Sequence, residues 1–283
     1  MSNQQKVWFV TGASKGLGLS LVKTLLAQGY RVAATSRKVE DLSAAVGQAA
    51  QGRFLPFVMD LKSEDSVGGA INQTLNRFGR IDVVVNNAGY GILGALEELT
   101  DAEARENFEV NVFGSLNVIR KAMPYLREQR SGHIINIASI GGFSGNFPGF
   151  GIYCATKFAV HGFTESLAAE AKAFGVHATV VSPGYFRTNF LEADSAVVPQ
   201  NPIDAYEAVR QSQKTHQEEI NGNQPGDPDK AADAMIELSN AENPPLHLFL
   251  GEDAYNVAYA KIDALKNDLE TWKAVTVGTN FSE

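Results

Sequence analysis

Tyr153 and Lys157 stand four residues apart in the stretch YCATK. On a helix this i, i+4 spacing puts both side chains on one face, with the ammonium beside the phenol. A free tyrosine, with a pKa near 10, is a poor proton donor at neutral pH. An ammonium about 4 Å away is worth at most ~4 kcal/mol at an effective dielectric of 20, enough to bring the phenol into a useful range. Ser139, 14 residues before the tyrosine, adds a hydroxyl that can donate and accept and so hold a reacting oxygen in place. Taken alone, the pair also reads as a packed aromatic and a solvated surface lysine, so the surrounding elements have to decide.

Those elements are legible as an alternation. Apolar runs rich in Val and Ile predict strands at 6–11, 30–36, 54–59, 81–86, 133–138, 176–182 and 246–250. Helix-period stretches at 16–28, 38–48, 63–78, 102–129 and 152–174 lie between them. A crossover helix after each strand implies a parallel sheet covered on both faces, a doubly wound α/β fold that takes all 283 residues as one domain. Ser139 then ends the fifth strand, at the carboxyl edge where open α/β sheets bind ligands. Directly after the first strand comes VTGASKGLG. Gly12, Gly16 and Gly18 let the backbone approach a ligand closely, and the helix that starts near Gly16 points free N–H groups at an anion. A dinucleotide pyrophosphate fits such a site; the plainer alternative is a tight turn shaped by glycine. A mononucleotide P-loop fits less well, because Lys15 precedes Gly16. NNAG, Asn86 to Gly89, follows the fourth strand and can line the same crevice.

TGASKGLG, NNAG, Asn111, Ser139, YCATK and SPGYFRT at 182–188 together resemble the short-chain dehydrogenase/reductase family, over roughly Lys6 to Phe190. The resemblance implies a Rossmann-like fold and a nicotinamide dinucleotide held by Gly12, Ser14, Lys15, Gly16, Leu17 and Gly18. It places Asp60, Leu61, Asn86, Asn87, Ala88 and Gly89 on the adenosine side, and Pro183, Gly184 and Thr188 by the nicotinamide. Ser139, Tyr153 and Lys157 become the catalytic residues of carbonyl reduction or alcohol oxidation, Lys157 also binding the ribose and Asn111 joining a proton relay. Within the family the chain looks most like the branch with hydroxysteroid and retinol dehydrogenases and bacterial ketone reductases.

Cofactor choice is written at the end of the second strand. An NAD reader places a carboxylate there, which would repel a 2′-phosphate. Here Ser36 removes that repulsion, Arg37 offers a planar cation, and Lys15 is expected to add a second charge, so NADP(H) is predicted. Phe143, Phe147, Phe150, Tyr185, Phe186, Phe190 and Leu191 are candidates for an apolar substrate wall, some of them for core instead. Cys154 reads as structural. The five histidines show no ligand spacing such as HExxH, so no metal site is expected.

Composition bounds the partners. The formal charge of −8 disfavours nucleic acid and anionic membrane. A single cysteine suits a reducing compartment, and the polar start MSNQQK reads as neither signal peptide nor spanning helix, so a cytoplasmic place is expected. Two segments stand outside the alternation. The polar insertion at 191–223, with a helix from about Ile203 to Ile220, is expected to be a substrate lid, the alternative being a permanently docked helix. A C-terminal helix at 252–272 extends beyond the family's usual end. The resemblance implies a homodimer or homotetramer paired through 102–129 and 152–174. The competing functions are a cofactor-binding redox sensor without turnover and a sugar-nucleotide epimerase or dehydratase. The intact Ser139, Tyr153 and Lys157 speak against the first; the glycine spacing and short C-terminal region speak against the second.

Overall fold

In the computed structural model, which describes residues 6–47, 52–192 and 194–281, every residue of β1 (Val7–Val10) is buried. The first five residues, Gln48 at the end of the second predicted helix, and Ala193 in the predicted lid lie outside the described residues. The run VWFV lacks polar alternation because both faces of its sheet are covered. Trp8 and Val10 pack with Leu21, Leu25 and Met235 on one side. Phe9 packs with Ile71, Val118, Leu126 and Leu167 on the other.

The chain continues through α1 (Gly16–Ala27), β2 (Arg31–Ser36), α2 (Val39–Val46), β3 (Phe54–Val58), α3 (Glu64–Phe78) and β4 (Val83–Asn86). The ends of α3 show why such boundaries can be read from sequence. The Ser63 hydroxyl accepts from the Ser66 N–H at its start, and Gly79, at φ 80°, turns the chain out of it. After a two-residue β5 (Gly91–Ile92) come α4 (Asp101–Phe108), α5 (Gly114–Gln129), β6 (Gly132–Ile137), α6 (Gly151–Ala171) and β7 (Val176–Pro183). Beyond them lie β8 (Ala196–Val197), α7 (Glu207–Lys214), α8 (Pro228–Asn240), β9 (His247–Leu250) and α9 (Glu252–Thr271).

Seven strands form one parallel sheet in the order β3-β2-β1-β4-β6-β7-β9, a Rossmann-like arrangement flanked by helices. Two predicted elements differ in form. The single helix expected over 102–129 is interrupted by a π turn, Glu109–Phe113, between α4 and α5. At that turn the Asn111 side chain bonds both backbone groups of Tyr90, holding the wider loop of helix in place. The insertion helix starts at Glu207 rather than Ile203, because Tyr206 has a non-helical backbone (φ −87°, ψ 60°), and it runs on through a π turn, Thr215–Ile220. The insertion also contributes β8, which pairs in parallel with β5. Among the described residues, no helix is long and apolar enough to cross a membrane.

Candidate active site

Strand order reverses between β1 and β4, and their diverging carboxyl ends open a crevice. Gly12 crosses it at φ 64°; a Cβ there would lie 2.6 Å from the Ala88 Cα, so only glycine lets the two loops meet. Hydrogen bonds then lock the meeting point. The Asn87 side-chain amide donates to the Thr11 and Gly12 carbonyls at 2.9 and 2.8 Å. The Asn87 and Ala88 N–H groups donate to the Thr11 hydroxyl at 3.0 and 3.1 Å. Thr11, unnoticed in the sequence, is thus the buckle between the glycine loop and NNAG.

A cavity of about 710 Å³ runs from this crevice, bordered at its anion end by Gly12, Ser14, Lys15, Gly16 and Leu17. No side chain caps the first turn of α1, so its N–H groups are left for a ligand. Gly18 is not on the cavity wall: a Cβ there would meet Asn87 Nδ2 at 2.4 Å, so its role is to let α1 close on the loop. Ser36, Arg37, Asp60, Leu61, Asn87, Ala88 and Gly89 border the adjoining stretch. Asn86 does not; it is buried in the sheet, donating to Asn136 Oδ1 at 2.8 Å. The Lys15 ammonium, expected to help with a 2′-phosphate, is paired with Asp194 of the insertion at 2.6 Å. The close glycine approach, the uncapped helix end and a cavity of this size all fit a nicotinamide dinucleotide.

Further along, Ser139, Tyr153 and Lys157 all border the cavity. β6 ends just before Ser139, and the first turns of α6 carry the other two, so three sequence-distant groups meet at the sheet edge. Lys157 Nζ donates to the Ile137 carbonyl at 2.9 Å and stands 5.8 Å from the Tyr153 ring centroid. Burial drives both groups toward their neutral forms. It pushes the Tyr153 phenol above its ordinary value, with the Ser139 side chain pulling the other way, and lowers Lys157 to about 8. The expected downward pull of Lys157 on the phenol is not among the influences on it; Ser139 alone opposes the desolvation.

Asn111 does not border the cavity. Its carbonyl oxygen accepts from the Tyr90 N–H at 3.0 Å, and its amide donates to the Tyr90 carbonyl and the Thr156 hydroxyl, both at 3.0 Å. Gly89 separates it from the lysine: a Cβ there would stand 2.9 Å from Asn111 Oδ1 and 3.5 Å from Lys157 Nζ.

Pro183, Gly184, Tyr185, Thr188 and Phe190 lie along the remaining wall, facing Phe147 and Phe150. The Tyr153 ring is 5.6 Å from Phe190 and 6.1 Å from Phe150, so the proton-bearing oxygen belongs to an aromatic chamber. Phe143 is not part of it; its ring packs edge-on against Phe249, 5.2 Å away, under the first turns of α9. Cys154 does border the chamber, yet burial raises its thiol to about 11, in keeping with a structural role. Sequence reasoning missed His216, whose Nδ1 donates to the Ser212 carbonyl at 2.7 Å while Nε2 accepts from the Tyr185 hydroxyl at 2.8 Å. It also missed Asp253, which accepts from the Tyr185 N–H at 2.6 Å. Only the folded chain brings these two residues to the SPGYFRT turn.

Comparison with known proteins gives a consistent picture. The sequence model for short chain dehydrogenase matches residues 6–197. The chain is 37% identical to a 3-ketodihydrosphingosine reductase of Bacteroides thetaiotaomicron over 250 residues, 88% of either protein. A crystal structure of a short-chain dehydrogenase from Streptomyces avermitilis superposes with a TM-score of 0.88 at 38% identity, covering 97% of this chain and 100% of that one. Two further solved structures carry a dinucleotide. One, an alcohol dehydrogenase from Thermococcus sibiricus, holds 5-hydroxy-NADP (TM-score 0.70, 26% identity, 87% of this chain and 95% of that one). The other, a 3-ketoacyl-(acyl-carrier-protein) reductase from Brucella melitensis, holds NADH (TM-score 0.71, 25% identity, 88% and 98%).

Proposed function

The chain is an oxidoreductase of the short-chain dehydrogenase family, and on that premise we propose that it moves a hydride between NADP(H) and a ketone or secondary alcohol, with Tyr153 giving or taking the proton. The observation that carries the reading is the convergence of Ser139, Tyr153 and Lys157 where the dinucleotide crevice opens into the aromatic chamber. A redox sensor has no use for a buried proton donor facing such a chamber.

When bound, the dinucleotide supplies or accepts the hydride. The chain's own residues do the rest. Ser139 holds the substrate oxygen by hydrogen bonding, and Tyr153 passes its proton to that oxygen. Burial makes Tyr153 reluctant to ionise, so its cycle depends on a nearby positive charge. Lys157, at about 8, keeps that charge at neutral pH while the Ile137 carbonyl fixes its position. Phe147, Phe150 and Phe190 keep water from the reacting oxygen. NADP(H) over NAD(H) rests on Ser36 and Arg37 at the end of β2, where a carboxylate would repel a 2′-phosphate. With a charge of −8, the protein suits a small molecule in the cytosol better than nucleic acid.

The test is NADPH oxidation across ketones, aldehydes and quinones, with NADH in parallel. Turnover with NADPH and at least one ketone is expected; no oxidation of either cofactor by any compound overturns the proposal. Tyr153→Phe should lower turnover by about 10²- to 10⁴-fold while leaving NADPH affinity and Tm nearly unchanged. A variant that keeps most of the wild-type rate removes Tyr153 from the mechanism.

A further inference from the structure

One helical turn past Lys157, outside the catalytic cavity, α6 presents His161 and Glu165 at i, i+4 toward His247 of β9. One nitrogen of each imidazole and an oxygen of Glu165 all lie within 4.8 Å of one another, the one such group among the described residues. The two rings stack 5.7 Å apart at 22°, so they make no hydrogen bond to each other. His161 Nε2 is engaged by the Ser182 hydroxyl at 2.9 Å. His247 is left unsatisfied: its Nδ1 is buried without a partner, and its Nε2 stands 3.7 Å from Glu165 Oε1, too far for a hydrogen bond. The Nε2 that faces Glu165 makes no hydrogen bond, so its lone pair is free for a cation.

We propose that His161, Glu165 and His247 form a binding site for a divalent transition cation of the zinc class, which clamps α6 to β9. Two imidazoles and a carboxylate are a donor set that zinc favours, with water completing four-fold coordination. Ligand atoms about 2 Å from a tetrahedral ion stand roughly 3.3 Å apart, so closing this group takes side-chain shifts of about 1 Å and a turn of at least one ring out of the stack, because each lone pair lies in its ring plane. The Ser182 hydroxyl orients the His161 ring from behind, as outer partners of metal-bound histidines do. The His247 and Glu165 side chains are 35% and 53% exposed, which leaves an entry path for the ion. β9 leads directly into α9, whose Asp253 secures the Tyr185 backbone, so the clamp would stiffen one wall of the substrate chamber. The sequence concealed the site because its ligands lie on a helix and a strand far apart in the chain.

Full-length protein stripped with a chelator and titrated with Zn²⁺ tests the assignment. One equivalent should bind, raising Tm by about 5 °C at a hundredfold excess over Kd. Co²⁺ should give the intense visible bands of a four-coordinate site. His247→Gln and Glu165→Gln should each weaken binding at least tenfold while keeping the metal-free Tm; two partly exposed positions guard against one variant failing to fold. No saturable binding by the wild type overturns the proposal, as does binding undiminished in both variants.

Discussion

At Lys157 burial works against charge, and this sets a pH signature. Its folded pKa is lowered to about 8, below the ~10.4 of an unfolded lysine, so between these values the unfolded chain holds the extra proton. Stability should therefore rise as pH climbs from about 8 to 10.4, by about 3 kcal/mol from this group. Urea denaturation at a series of pH values should show the rise in the wild type and lose it in Lys157→Met; a slope unchanged by the substitution means the ammonium is not desolvated. Ser36 poses the cofactor question at the same scale. Ser36→Asp should cut NADPH efficiency by one to two orders of magnitude, on the order of 2 kcal/mol, and leave NADH less affected. An unchanged NADPH-to-NADH preference in both Ser36→Asp and Arg37→Ala sinks the NADP(H) assignment. The i, i+4 spacing of Tyr153 and Lys157 was plain in the sequence, but not that the ammonium bonds Ile137 or that Asn111 turns toward Tyr90. Those directions depend on backbone carbonyls that no local pattern announces.

Among the elements, the insertion holds the clearest contest of forces. Glu98, fully buried, accepts from the Ala95 and Ile203 N–H groups at 2.7 Å each and pairs with Arg210 of α7 at 2.5 Å. Burial alone would raise this carboxyl, yet the backbone N–H groups and Arg210 hold it below the usual carboxylate range. Gln213 adds a bond to the Leu93 carbonyl, and Tyr206 one to Glu97. The end near the glycine loop is fastened differently, by the exposed Lys15–Asp194 pair, which is worth about 0–1 kcal/mol. β8 is paired with β5, and Ile203 and Tyr206 are bonded to Glu98 and Glu97, so the insertion is expected to open only ahead of β8 and to stay docked from β8 onward. Limited proteolysis should cut the free protein before β8 and be blocked by NADPH with a substrate analogue. Glu98→Ala should cost about 3 kcal/mol and extend cleavage into α7. Equal resistance with and without ligand would mean that the whole segment is docked.

At the scale of the molecule, two large aromatics stand exposed along the long helices. Phe113, at the end of the π turn, is 46% exposed, and Phe158 on α6 is 43% exposed. Pairing of two copies through these helices would cover both, so light scattering should show a dimer or tetramer at micromolar concentration. Phe113→Glu combined with Phe158→Glu should shift it toward monomer with little loss of Tm; a monomeric wild type overturns the expected assembly. The C-terminal helix has two halves. Ala254 and Ala258 are buried against the body, while Leu265, Leu269 and Trp272 are 44%, 62% and 62% exposed.

The sequence by itself determined the seven main strands, the crossover helices as far as α6 and the glycine loop, because each rests on a local period or on turn chemistry within a few residues. It also offered Ser139, Tyr153, Lys157 and Asn111 as the groups for moving a proton, of which the fold brings the first three to one cavity. Only the tertiary structure decided the rest. β5 and β8 are two residues each, too short to leave a period. Gly18 and Phe143, expected at the ligand, serve packing instead, while His216 reaches the cavity wall and Asp253 braces Tyr185 behind it, both from distant segments. Whether a side chain meets ligand, core or another side chain depends on how close two separated backbones come, and that distance is set by the packing of the whole core rather than by neighbours in the chain.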